Sequence, residues 1–158
     1  MADLACTYTL STGSGTIVLN QGTLGGGSTD DLYWVTAIHG LDGPTLRTPI
    51  DDVPFGDGGL IHKFWKGPRH PAFEGSLIVQ SVPIGSGACQ EALNDMEDAL
   101  NAALGTIIQT AGTLSWTPAG GGAHSISVFY EIPLDIQPQD NFALRSFSFG
   151  LVSASANI

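Results

Sequence analysis

The apolar positions of this chain follow two periods, and the longer-reaching one is two. ACTYTL (5–10) and GTIVLN (15–20) read as short strands joined by the turn Ser11 to Ser14. LYWVTAI (32–38) is rich in aromatic and β-branched residues, which fit a pleated, half-buried surface. GLIHKFW (59–65) and AFEGSLIVQSV (72–82) follow, with the turn-like KGPRHP between them as a candidate hairpin connection. GTLSWTP (112–118), SISVFYEIPLDI (125–136) and FALRSFSFGLVSAS (142–155) complete the strand candidates, with Gly120 to Gly122 as a hairpin tip. In the last two, Ile126, Val128, Tyr130 and Ile132 alternate with Ser125, Ser127, Phe129 and Glu131, and Arg145, Phe147 and Phe149 alternate with Leu144, Ser146 and Ser148. Alternation implies one face turned to a core and one to solvent or a partner.

The second period appears once. Cys89, Leu93, Met96, Leu100, Leu104, Ile107 and Ile108 recur at spacings of three and four, with Glu91, Asp95, Glu97, Asp98 and Asn101 between them. This predicts an amphipathic helix of about five turns over about 87–109. Ser86 is the expected N-cap, and the acids near the start suit the helix dipole. The helix is expected to end before Gly112, with Gly105 weakening its last turn. The predicted fold is mainly β (α+β), a β-sandwich or barrel carrying one helix, built as a single domain over 1–158.

One segment fits neither period. Between the strands at 32–38 and 59–65 lie Gly40, Asp42, Gly43, Pro44, Pro49, Pro54, Gly56 and Gly58. That density of turn formers predicts a long, ordered, extended loop at about 40–58. Loops of such length in a compact domain usually carry function.

Charge narrows that function. Fifteen Asp and Glu face five Lys and Arg, for a net charge of −10. Five cations cannot neutralise a phosphate backbone, and an acidic surface is repelled by an anionic membrane. Such a surface can still face DNA as a non-stick wall. Charged residues make up only 13% of the chain, against the usual ~25%, which points to a surface partly covered by partners. No apolar run approaches the ~18 residues of a membrane span, so no membrane insertion is expected. MADLACTYTL has neither a basic start nor a long apolar stretch, so no export signal is expected. Cys6 and Cys89 are then expected as free thiols, Cys89 buried on the helix stripe.

No catalytic constellation emerges. His39, His62, His70 and His124 lack zinc spacing, and Asp51, Asp52 and Asp57 lack the ordered ligand pattern of a calcium loop. GGGAHS (120–125) has no nucleophile elbow beside it, and STGSG (11–15) lacks the lysine of a phosphate loop. Glu74, Glu131, Asp135 and Asp140 show no spacing that singles out a glycosidase pair. The chain therefore reads as a non-enzyme, with no metal and no cofactor. Trp34, Trp65 and Trp116 leave a carbohydrate-binding module as the alternative of another class. Arg47 stands out because cations are scarce; it suits a carboxylate contact within the loop or across subunits.

YWVTAIHGLDGPTLRT resembles the opening of distal tail proteins of long-tailed bacteriophages, the Sipho-tail family. Tyr33, Val35, Ile38, Gly40, Leu41, Asp42, Pro44, Leu46, Arg47 and Thr48 match its first part. Asp57, Gly58, Gly59, Phe64, Gly67, Arg69 and Glu74 match its second. EALNDMEDALNAAL, GTLSWTP and a strand pair ending in FSFGLV follow in the same order, so the resemblance spans about 30–155. It implies a structural virion protein of the phage tail tip, a minimal version without a carbohydrate-binding domain. It further implies a hexameric ring between the tail tube above and the tail hub, or baseplate, below. The lumen would pass the tape-measure protein and then DNA, without binding it tightly. A tail-tube or other minor tail subunit is the nearest rival. The expected contact surface is the loop, through Asp42, Pro44, Arg47, Asp51, Asp52, Phe55 and Asp57.

Overall fold

Segments with one apolar face must bury it, and here they do so in a sheet that curls on itself. A computed structural model describes residues 6–41, 46–47, 50–52, 59–61, 65–66, 68–138 and 144–153. In chain order the elements are β1 (Tyr8–Thr12), β2 (Gly15–Leu19), β3 (Leu32–His39), β4 (Leu46–Arg47), β5 (Ile50–Asp52), β6 (Gly59–Ile61) and β7 (Trp65–Lys66). Then come β8 (Ala72–Ile78), α1 (Gly87–Thr106), β9 (Gly112–Trp116), β10 (His124–Pro138) and β11 (Leu144–Ser153). Seven strands form one sheet in the order β2-β1-β9-β10-β11-β8-β3, with every neighbouring pair antiparallel. The result is mainly β: a curled half-barrel with one helix, as the alternation predicts.

Register places the apolar residues of each strand in common rows. Tyr8 lies opposite Leu19 and Trp116, Leu10 opposite Ile17 and Leu114, Leu114 opposite Ile126, and Phe149 opposite Phe73. Except for Trp116, which is partly buried against them, these side chains are buried in one cluster with Val35, Leu77, Val128, Phe147 and Leu151. α1 packs on β1, β2, β8 and β10 and adds Cys89, Leu93, Leu100, Ala103 and Leu104 to it. Each buried leucine contributes about 1.5–3 kcal/mol. Neither cysteine is in a disulfide, and Cys89 is buried, as expected; Cys6 is buried as well.

The helix is capped and tied at both ends. Ser86 Oγ accepts from the Cys89 N–H at 3.2 Å, and the Tyr130 N–H donates to the C-cap Ile107 carbonyl at 3.0 Å. Arg145 on β11 reaches across, donating to Asn94 Oδ1 at 2.9 Å, Glu97 Oε2 at 2.8 Å and Gln90 Oε1 at 3.2 Å. The Tyr33 hydroxyl donates to the Met96 carbonyl at 2.9 Å. Two expectations fail here. No acidic side chain falls in the first turn, because Glu91 lies beyond it. Ile108 is 59% exposed, since the helix ends at Thr106 and the C-cap Ile107 is the last stripe residue to be buried.

Other departures concern pairing. Of GLIHKFW the described parts are β6 and β7, which pair with β5 and β4; residues 62–64 lie outside the described residues. KGPRHP is therefore no hairpin connection to β8, which pairs with β3 and β11 instead. The Gly- and Pro-rich excursion accordingly contains β structure. β4 with β7 and β5 with β6 form successive antiparallel ladders between β3 and β8, a nested arm rather than a plain loop. Leu46–Arg47 and Gly59–Ile61 are among its strands. Ile132 is 52% exposed, because the register of β10 shifts on both sides of it.

The curled sheet meets itself at Asn20. Its N–H donates to the Tyr33 carbonyl at 2.9 Å, its Oδ1 accepts from the Val35 N–H at 2.7 Å, and its Nδ2 reaches the Cys6 carbonyl at 3.3 Å. It does so at φ 60°, a left-handed conformation asparagine tolerates better than most residues.

Asn20→Ala is expected to lower stability by about 2–4 kcal/mol, through an orphaned Val35 N–H and a left-handed alanine. Asn20→Gly should recover about 1 kcal/mol of this, the conformational part; urea unfolding measures both. Burial raises the Tyr33 pKa from 10.0 to about 12. Its stabilising contribution is thus complete below pH 10 and is lost as pH rises towards 12. Tyr33→Phe should flatten the fall in melting temperature across that window.

Candidate assembly interface

The arm springs from one corner of the sheet, and the residues at its root are held tightly. His39, the last residue of β3, pairs with Ala72, the first of β8. Beyond that pair the two chains stay close: a Cβ on Gly40 would lie 2.1 Å from the His70 carbonyl oxygen. Gly40 also has φ +71°, so glycine is required twice over. Leu41 is buried, and Arg69, only 9% exposed, donates from Nη1 to the Leu41 carbonyl at 2.9 Å. The Leu151 N–H donates to the Pro71 carbonyl at 2.7 Å and the Ser153 N–H to the Arg69 carbonyl at 2.9 Å, so β11 holds the arm's return. His70 Nδ1 lies 2.8 Å from Glu131 Oε2 on the exposed surface.

Of the residues expected at a contact surface, Arg47 lies in β4 opposite Trp65, and Asp51 and Asp52 lie in β5 opposite Leu60 and Gly59. Asp42, Pro44, Phe55 and Asp57 lie outside the described residues. Arg69 and His70, which anchor the root, carried no such signal in the sequence. Arg69 was visible only as one cation of a family match.

The outer face of the sheet is polar. Ser148 of β11 lies between Asp135 of β10 and Glu74 of β8, and Ser146 lies between Gln137 and Ser76. With Thr36 these line a shallow open groove of about 390 Å³. β9 pairs with β10 only as far as Val128, so the far half of β10 has β11 as its one ladder partner among the described residues. Pro133 and Pro138 lie on that half, a usual way to blunt an edge.

Two of the three candidate tryptophans have described side chains. Trp116 stacks on His124 at 5.4 Å between ring centroids and lies 6.2 Å from Tyr8, so its ring is engaged in an aromatic row. A second open groove of about 560 Å³ lies beside it, lined by Thr7, Thr9 and Ser115. Trp34 is half-buried on β3. Asp135 accepts from Gln137, and no three His, Cys, Asp or Glu side chains converge among the described residues. Nor is any described helix long and apolar enough to cross a membrane.

The described residues thus form an antiparallel half-barrel with one packed helix and an arm between β3 and β8. Among solved structures the chain resembles the Dit protein of phage SPP1, a siphophage distal tail protein. That structure is described as a paradigm of the hub adsorption apparatus in phages infecting Gram-positive bacteria. The match has a TM-score of 0.56 at 9% identity and covers 94% of this chain and 50% of that one. This chain thus spans about half the length of the SPP1 protein, and the likeness is one of fold. No protein-family model matches the sequence, and no curated protein matches it.

Gly40→Ala is expected to lower stability by more than about 2 kcal/mol, since the clash is with backbone and the φ is left-handed. Thermal melting checks this, and resistance of the fold to the change would show that the root is not held as described.

Proposed function

We propose that this chain is the ring-forming module of a phage distal tail protein, a single non-enzymatic tail-ring domain. Six copies close a ring at the tail tip, between the tail tube and the tail hub. The lumen passes the tape-measure protein and then DNA. The observation that carries this reading is the distal-tail fold, matched over 94% of the chain. The charge agrees with it: at −10 the chain repels a DNA phosphate backbone, as a conduit should. The arm and the polar outer face supply two different surfaces, and a heterologous contact between different surfaces is what a ring repeats until it closes. Arg47, Asp51 and Asp52 on the arm, with Asp42, Pro44, Phe55 and Asp57 in its intervening segments, form the proposed contact surface.

Native mass spectrometry of the concentrated protein is expected to give a species of six times the 16.4 kDa chain mass. An open-ended ladder of stacked masses would favour a tail-tube subunit. A strict monomer that binds glycans, with binding lost on Trp34→Ala or Trp116→Ala, would replace this reading with a carbohydrate-binding one.

A further inference from the structure

Gly150 lies between the buried Phe149 and Leu151 of β11, so a side chain there would point to the outer face of the sheet. Ile132 of β10 fills that space instead: a Cβ on Gly150 would lie 2.7 Å from Ile132 Cδ1. Ile132 is thereby seated on the outer face and is still 52% exposed. Phe129 and Val152 lie opposite each other in the ladder, each between buried or partly buried inner residues, and are half-buried on the same outer face. Val152 and Gly150 are alternate residues of β11, so Phe129, Val152 and Ile132 make one apolar knob. Ile108, 59% exposed, belongs to the same corner, because the Tyr130 N–H donates to the Ile107 carbonyl at 3.0 Å.

The knob borders the uncharged part of an acidic molecule. β1, β2, β9 and residues 124–130 of β10 contain no Asp, Glu, Lys or Arg. Glu131, the acid beside Ile132, is held by His70 Nδ1 at 2.8 Å. The other described acids stand elsewhere: Asp30 and Asp31 before β3, four on α1, and Glu74 and Asp135 in the smaller outer-face groove. The uncharged strands also carry the open groove of about 560 Å³, lined by Thr9, Ser115 and Thr117 with Trp116, Ala119 and Ala123. Hydroxyls and apolar atoms share that lining with no carboxylate among them. Its size falls in the ~300–1,000 Å³ range of pockets that bury a ligand-sized body, enough for the Ile132 side chain with Phe129 beside it. Gly112 at one end of β9 lies opposite Val128, next to the knob, and Trp116 at the other end lies opposite His124. Knob and groove are therefore separate surfaces, roughly 13 Å apart along the strands.

We propose that the apolar knob of one copy, centred on Ile132 and Phe129, docks in the uncharged Thr117 groove of a second copy. Charge selects the occupant. Each copy carries −10, so two copies meet at least electrostatic cost where neither presents a free carboxylate. A basic partner would gain instead from the carboxylates of α1 or from Glu74 and Asp135. An apolar anchor inside an uncharged hydroxyl rim also has the anatomy of an interface core, from which charged residues are depleted. Because knob and groove differ, the contact is heterologous and repeats round a ring. This rests on the self-assembly reading above and names a contact that reading needs.

In sedimentation, self-association should strengthen between about 50 mM and about 500 mM salt, because salt screens the repulsion of acidic bodies and spares an apolar contact. I132D and T117D should each weaken it about tenfold or more, whereas S146D, which adds the same charge outside the contact, should leave it within about twofold. Far-ultraviolet circular dichroism confirms the fold of each. I132D/T117K in one chain should restore association, since a heterologous contact sets one change against the other. With p-benzoylphenylalanine in place of Ile132, irradiation should cross-link an unlabelled copy to residues 6–9 or 115–124 of a ¹⁵N-labelled one. Association that weakens with salt, rings indifferent to both I132D and T117D, or cross-links formed only within one copy overturn the docking and leave ring assembly standing. A wild type that never associates overturns both.

Discussion

The fold depends on closing a curled sheet, and one asparagine makes the closure. A seven-stranded antiparallel sheet with one apolar face has two free ends, β2 and β3. Left apart they would expose both the core and two rows of backbone groups, a standing invitation to aggregate. Asn20 joins them with its backbone and with both ends of its amide, at a left-handed φ that follows the last residue of β2. The same junction brings Tyr33 over the core, where its hydroxyl fixes the middle of α1. Helix, closure and core are thus one cooperative unit.

Among the described residues, a projection leaves that unit between β3 and β8. β3 and β8 end together, and the chain leaves and returns through Gly40 and Arg69 before β8 begins. A rigid root on a packed body is what an assembly arm requires, because affinity lost to ordering is reduced when the anchoring residues are already fixed. The charge distribution follows the same division. Arg145 pairs with Glu97, and the other four cations all fall between Arg47 and Arg69 in the sequence. Acidic residues and cations are therefore unevenly distributed along the chain.

Much of this was legible in the sequence because periodicity reports burial directly. The strand pattern, the helix with its Ser86 cap and the buried Cys89 stripe all follow from apolar spacing. What was not legible depends on partners distant in sequence. β4 through β7 are too short for a period to appear, and their Pro and Gly neighbours mask them as loop. Asn20 looks like any turn residue until β3 arrives beside it. The Asp135–Ser148–Glu74 row needs three strands in register, so no linear spacing announces it. Trp116, read from sequence as a possible sugar platform, is a member of an aromatic row for the same reason.

The claim that these parts add up to a tail-tip ring is tested most directly by cryo-electron microscopy of the protein assembled at high concentration. The expected image is a closed six-fold ring with an open central channel, its subunits in contact through arm and outer sheet face. Particles that stay monomeric, or a closed assembly with no channel through it, would contradict that claim.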